Sequence, residues 1–255
     1  MRPTEESSMI ISIINHSRTL SDEAVQEVIR AINRQIAQDF QPYWSFGATL
    51  RLEGAIGAHL NTQSLSDMRG DAVIYLVDGT NSVGASGWHT ANYKDIPYGL
   101  VFLGLCEQMK EQWSITLSHE ALELMGDPMG NLLVDGPHPM DHRHKVFHLF
   151  ELCDAVQCES YLIDAVAVSN FVLPSYFSPG EQLGRRNDFL GRVHEGKTLL
   201  SFGMNPGAYL NIFDPKTGHW EQPVYESDKA ALLRKKIKSQ VTAGRIYRRL
   251  HPDQP

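Results

Sequence analysis

The segment that most restricts what this chain can become is residues 113–128, WSITLSHEALELMGDP. It reads as a short helix closed by Gly126 and stopped by Pro128, the usual punctuation of a helix C-terminus. His119, Glu120 and Glu123 lie inside it. Side chains four apart share a helix face, so His119 and Glu123 can reach one point in space. Glu120 sits about 100° round the axis, close enough to address whatever the other two hold. An imidazole and a carboxylate at this spacing, with a second carboxylate beside them, match the helical half of a metal site. The commoner form is His-Glu-x-x-His, and Glu123 stands in place of its second histidine. Such residues also suit a solvated helix face, so the rest of the chain must decide.

A hydrophobic content of 42% with 21% charged residues is ordinary for a folded globule. The net charge of −7 argues against a general nucleic-acid binder. No apolar run approaches the roughly eighteen residues that a membrane span requires. The first residues lack the charged-then-apolar design of a secretion signal, so a cytoplasmic location is expected, with non-classical export left open. Cys106, Cys153 and Cys158 are odd in number and awkwardly spaced, which argues against a disulfide framework.

Residues 9–14, MIISII, predict a short buried strand. Ser21 followed by two acids opens a helix, whose stripe of Val25, Val28, Ile29, Ile32 and Ile36 faces a core. Residues 48–53 alternate like a half-exposed strand, residues 72–77 read as a fully buried one, and residues 78–87 as a polar glycine-rich loop. Residues 98–103 supply a fourth strand before the metal-type helix. Residues 131–148 look like a loop; the spacing of His138, His142, His144 and His148 fits no single ligand face. The apolar run 146–154 ends in Glu151 and Asp154, and a buried acid needs a partner, for which a metal ion is one candidate and a capped turn the other. Residues 214–220, DPKTGHW, predict a turn between short strands, and the basic residues 234–249 a helical tail.

Several of these segments together resemble a group of little-characterised bacterial and phage zincin-like proteins: residues 118–123 (SHEALE), Asp127-Pro128, Glu151-x-x-Asp154, residues 168–177 (VSNFVLPSYF), Gly87-Trp-His89, Pro97-Tyr98 and residues 214–220. The order strand, long helix, strands, metal-type helix is also that of the N-terminal half of zincin metallopeptidases. The resemblance implies an α+β, zincin-like fold: a twisted mixed sheet with a backing helix and an active-site helix. Residues 1–180 are expected to form this metal-binding domain, and residues 181–255 an irregular C-terminal extension packed on it.

The same resemblance makes His119 and Glu123 metal ligands and Glu120 the general base, with the third ligand from the Glu151-x-x-Asp154 pair, Glu151 favoured and Asp154 orienting a ligand or replacing it. Zinc is the first expectation; manganese, iron or calcium would also suit so carboxylate-rich a set. The expected reaction is hydrolysis of a peptide or related amide bond. Tyr176 or His89 would stabilise the developing oxyanion, Trp88 would floor a side-chain pocket, and the strand from Tyr98 to Leu103, or the Gly84–His89 loop just upstream, would pair with an extended peptide or protein substrate. The rival expectation is a non-catalytic binding or assembly module with a structural zinc or calcium.

Overall fold

The computed structural model describes residues 9–53, 70–79, 86–180 and 185–225. The basic tail and most of the glycine-rich stretch before Gly87 lie outside the described residues. Strand β1 (Met9–Asn15) leads to helix α1 (Asp22–Arg34), where Ser21 Oγ accepts the Ala24 N–H at 3.3 Å and Asp22 and Glu23 complement the helix dipole. The expected stripe is buried throughout, from Val25 to Ile36. A π-helical segment, Gln35–Phe40, continues α1 and passes into the short α2 (Gln41–Trp44).

Strands β2 (Ala48–Glu53), β3 (Ala72–Val77), β4 (Gly87–Ala91) and β5 (Pro97–Phe102) complete a five-stranded mixed sheet in the order β2-β1-β3-β5-β4. Pairing is parallel except between β4 and β5, which are antiparallel. The AVIYLV of β3 is nearly all buried because an inner parallel strand is covered on both faces. One expectation is corrected here. The strand from Tyr98 is internal, held between β3 and β4, and among the described residues β4 is the outermost strand on that side. A five-residue strand reading Gly-Trp-His-Thr-Ala carries too little alternation to stand out beside a glycine-rich stretch.

Helix α3 (Leu103–Gln108) precedes α4 (Trp113–Gly126), the predicted helix, which packs against β4 and β5. Its residues are buried on nearly every side. Next, β6 (Leu133–His138) and β7 (Asp141–Leu149) form an antiparallel hairpin where a loop was expected. The outer half of β7, DHRHK, is largely exposed, so no apolar alternation marks it. A second hairpin, β8 (Ser160–Ile163) and β9 (Val166–Ser169), lies against α4.

Strand β10 (Ile212–Asp214) pairs with β7, and β11 (His219–Glu221) pairs with β10, giving a sheet in the order β11-β10-β7-β6. The predicted turn between these last strands is present, with Gly218 in the left-handed region and its N–H bonded to Asp214 O at 2.8 Å. Beyond residue 180 the chain thus enters a sheet begun before it, and Leu199, Leu210 and Ile212 join the same core as β1 and α1. The fold is α+β with mixed sheets. Among the described residues, no helix is long and apolar enough to cross a membrane.

Candidate metal centre

Helix α4 is fixed from behind before it presents any chemistry. Gln35, fully buried in the π-helical segment, accepts from Ser118 Oγ at 2.7 Å and donates to Ser169 O at 2.7 Å. The Ser169 N–H in turn donates to Ser118 Oγ at 3.1 Å, and Ser114 Oγ donates to Ala167 O at 2.7 Å. These bonds set the rotation of α4 against α1 and β9. The opposite side then carries His119, Glu120 and Glu123 inward.

On that side, His119 Nε2 lies 3.1 Å from Glu123 Oε2 and 3.3 Å from Asp154 Oδ1. The chain at 150–154 is brought up by packing. Gly126 is not in the left-handed region; its lack of a side chain instead admits Leu152, whose Cδ1 would stand 2.7 Å from an added Cβ. The Cys153 N–H donates to Glu123 Oε1 at 3.1 Å, and Asn211 Nδ2 donates to Asp154 Oδ2 at 3.2 Å. From the sheet, β4 contributes His89. Its Nδ1 is 3.3 Å from Glu120 Oε2 and 3.9 Å from Glu123 Oε2, and its Nε2 is 3.8 Å from Glu151 Oε2. His89, Glu120, Glu123, Glu151 and Asp154 are each 5 % exposed or less.

The electrostatics follow from this crowding. Burial pulls the His89 imidazole down, but Glu151, Glu120 and Glu123 together hold it up to about 9. His119 is likewise raised well above its ordinary value: burial opposes, and Glu123 and Asp154 outweigh it. Burial raises Glu123, yet the facing His119 brings it below the usual carboxylate range. Burial, with Glu123 adding to it, pushes the Cys153 thiol well up. The pocket therefore attracts positive charge.

A cation fits these residues on two counts. His89 Nε2 is buried and engaged in no hydrogen bond, and such a group needs a partner in a folded interior. Ligand atoms mutually within 4.8 Å also form two sets, His119–Glu123–Cys153 and His89–Glu123–Glu151.

The structure thus brings together His119, Glu120, Glu123, Glu151 and Asp154 as the sequence suggested, though Glu151 faces His89 rather than His119. His89 enters the cluster itself, where it was expected only as a donor to substrate, and Cys153 was not foreseen. A cysteine flanked by Leu152 and Asp154 in the Glu151-x-x-Asp154 segment was the available signal. Three expected residues stand apart. Tyr176 donates its hydroxyl to Gly203 O at 2.8 Å and packs between Phe177 and Phe202, so it is committed to the core and not poised as an oxyanion donor. Trp88 packs edge-on to Tyr98, ring centroids 5.3 Å apart. Neighbouring side chains on a strand point to opposite faces, so Trp88 turns away from the face that His89 occupies. The histidines of the β6–β7 hairpin serve the second sheet: His144 meets Asp214 at 3.0 Å, and His148 meets the Pro137 carbonyl at 2.9 Å.

Comparison with protein-family models, curated proteins and solved structures finds no match to this chain.

Proposed function

We propose that the protein is a metal-dependent hydrolase of peptide or related amide bonds, zincin-like in arrangement. The observation that carries this reading is the convergence of His119 and Glu123 of one helical turn with Asp154 from downstream, beside the additional carboxylate of Glu120. Strand β4, antiparallel to β5, adds to it by carrying His89 to the carboxylate of Glu120.

His119, Glu123 and either Asp154 or Cys153 would hold the cation, with zinc favoured where a thiol takes part. A divalent cation, when bound, supplies a Lewis acid that polarises a carbonyl and acidifies water. Glu120 accepts the proton of the attacking water and returns it to the leaving amine. The Glu120 carboxylate is oriented for this by His89 Nδ1. Asn211, bonded to the far oxygen of Asp154, fixes the direction in which that carboxylate points.

The depth of the cluster favours a second reading. The His119 side chain, at 12 % exposed, is more open than those of His89, Glu120, Glu123, Glu151 and Asp154. So enclosed a set also suits a structural zinc or calcium in a non-catalytic binding or assembly module. Glu120→Gln separates the two. In a hydrolase it abolishes cleavage of a peptide library while metal content, measured by mass spectrometry of the purified chain, stays level. In a structural module neither the wild type nor the variant cleaves, and both carry metal.

A further inference from the structure

We propose that the pocket holds two divalent cations bridged by Glu123: one with His119 and Cys153, the other with His89 and Glu151. This rests on the reading of the cluster as a metal centre and goes beyond it by assigning a second position and its ligands.

The argument begins with reach. Donors around a tetrahedral zinc, with bonds of about 2.1 Å, stand roughly 3.5 Å from one another. The two sets of mutually close donor atoms share Glu123 and nothing else; among the described residues, His89 and His119 do not fall in one set. A single ion bound at His119 therefore leaves His89 outside its shell. Glu123 is the hinge between them: its Oε2 lies 3.1 Å from His119 Nε2, and it also offers a ligand atom to the set with His89 and Glu151.

The second argument is the state of His89. Its Nδ1 is turned to Glu120 at 3.3 Å, which fixes the ring. The other nitrogen, Nε2, is buried, makes no hydrogen bond, and faces Glu151 Oε2 at 3.8 Å. A histidine with one nitrogen on a carboxylate and the other left open toward an acid is set as metal-binding histidines are set. Glu120 keeps its place beside the ring and is not needed as a ligand.

Charge gives the third argument. Glu120, Glu123, Glu151 and Asp154 crowd one interior region, each at most 5 % exposed. One divalent ion offsets only half of the formal charge of four carboxylates, and uncompensated buried charge is strongly unfavourable. A second ion offsets the four carboxylates with neutral imidazoles, and the Cys153 thiolate, deprotonated on coordination, leaves a single negative charge.

The experiment strips the full-length chain with chelator, reloads it with Zn2+ or Mn2+, and counts bound metal after dialysis by mass spectrometry. Two equivalents per chain are expected for the wild type, and one each for His89→Ala and His119→Ala. In the Mn2+-loaded wild type, spin coupling between the ions should appear in the electron paramagnetic resonance spectrum, a readout that needs no variant to fold. One uncoupled equivalent overturns the proposal, whether His89→Ala retains it or loses it, while leaving the single-metal reading standing. No bound metal in the wild type overturns both.

Discussion

Gly87 of β4 lies directly against the carboxylate of Glu120: a Cβ at position 87 would stand 2.5 Å from Glu120 Oε1 and 2.7 Å from Thr116 Cγ2. Strand and helix approach so closely here that only hydrogen fits. Gly87→Ala should therefore push Glu120 away from His89 and cost about 1–3 kcal/mol of stability through overpacking. Any hydrolysis that depends on Glu120 should fall at least about tenfold, the lower range of a lost general base. Chemical denaturation and peptide-cleavage rates check this. A variant as stable and as active as the wild type would show that the contact has no role.

A second buried network, away from the candidate centre, should govern stability alone. Glu159 accepts from Asn170 Nδ2 at 2.7 Å and Asn205 Nδ2 at 2.9 Å, and meets His194 Nε2 at 2.5 Å. Asn170 also donates to Asp188 at 2.9 Å, tying the β8–β9 hairpin to the irregular chain after residue 185. Glu159→Ala leaves these donors without their acceptor in a buried setting. The expected loss is about 3–5 kcal/mol, the range for removing one partner of a buried charged network. Metal content of whatever protein folds should be unchanged, and a fall in bound metal would contradict the separation of the two networks.

Much of this was readable in the sequence, for identifiable reasons. The α1 stripe and the β3 run showed themselves because burial of a whole face imposes a period. His119, Glu120 and Glu123 showed themselves because helix spacing is rigid, so a local pattern implies a shared location. His89 was read only as a donor to substrate, since its place in the cluster depends on β4 folding back antiparallel on β5 to set it over α4, a long-range pairing that five residues cannot announce. Cys153 was hidden for a related reason: its backbone N–H bonds to Glu123, thirty positions away, and nothing near it in sequence indicates that. Tyr176 misled because a tyrosine in an apolar segment reads equally as donor or packing, and here Gly203 takes its hydroxyl.

His148 should make stability fall in mild acid. It is 1 % exposed, and burial holds its imidazole down to about 4, with Nε2 donating to the Pro137 carbonyl at 2.9 Å. A histidine depressed below its ordinary value of about 6.5 contributes stability that is fully present above that pH. That contribution is lost as pH falls from there toward 4, and by then amounts to about 3 kcal/mol. Urea denaturation at pH 7.5 and pH 5 for the wild type and His148→Gln checks the sign. The variant should be weaker at pH 7.5, and the gap should narrow at pH 5. A gap that widens in acid would show that His148 is charged in the folded protein.

Removing the proposed cation should weaken the whole fold rather than only silence the proposed hydrolysis. Glu123 and Asp154 belong to segments joined through the cluster, α4 and the 150–154 stretch that leads into the 3-10 turn at Asp154–Val156. Without a cation the positive charge facing their carboxylates comes from His119 and His89, beside the neutral donors Cys153 N–H and Asn211 Nδ2. A ligand bound only by the folded state adds stability as its concentration exceeds the dissociation constant, about 2.7 kcal/mol at a hundredfold excess. Chelator should therefore lower the thermal midpoint of the wild type, and added Zn2+ should restore it in a concentration-dependent way. The same treatment should do far less to His119→Ala, which has already lost a ligand. The Glu159→Ala variant, whose defect lies in the other network, should respond to chelator as the wild type does. Equal midpoints for the wild type with chelator and with zinc would mean that these buried acids are held by protons on histidine, and that no cation belongs to the fold.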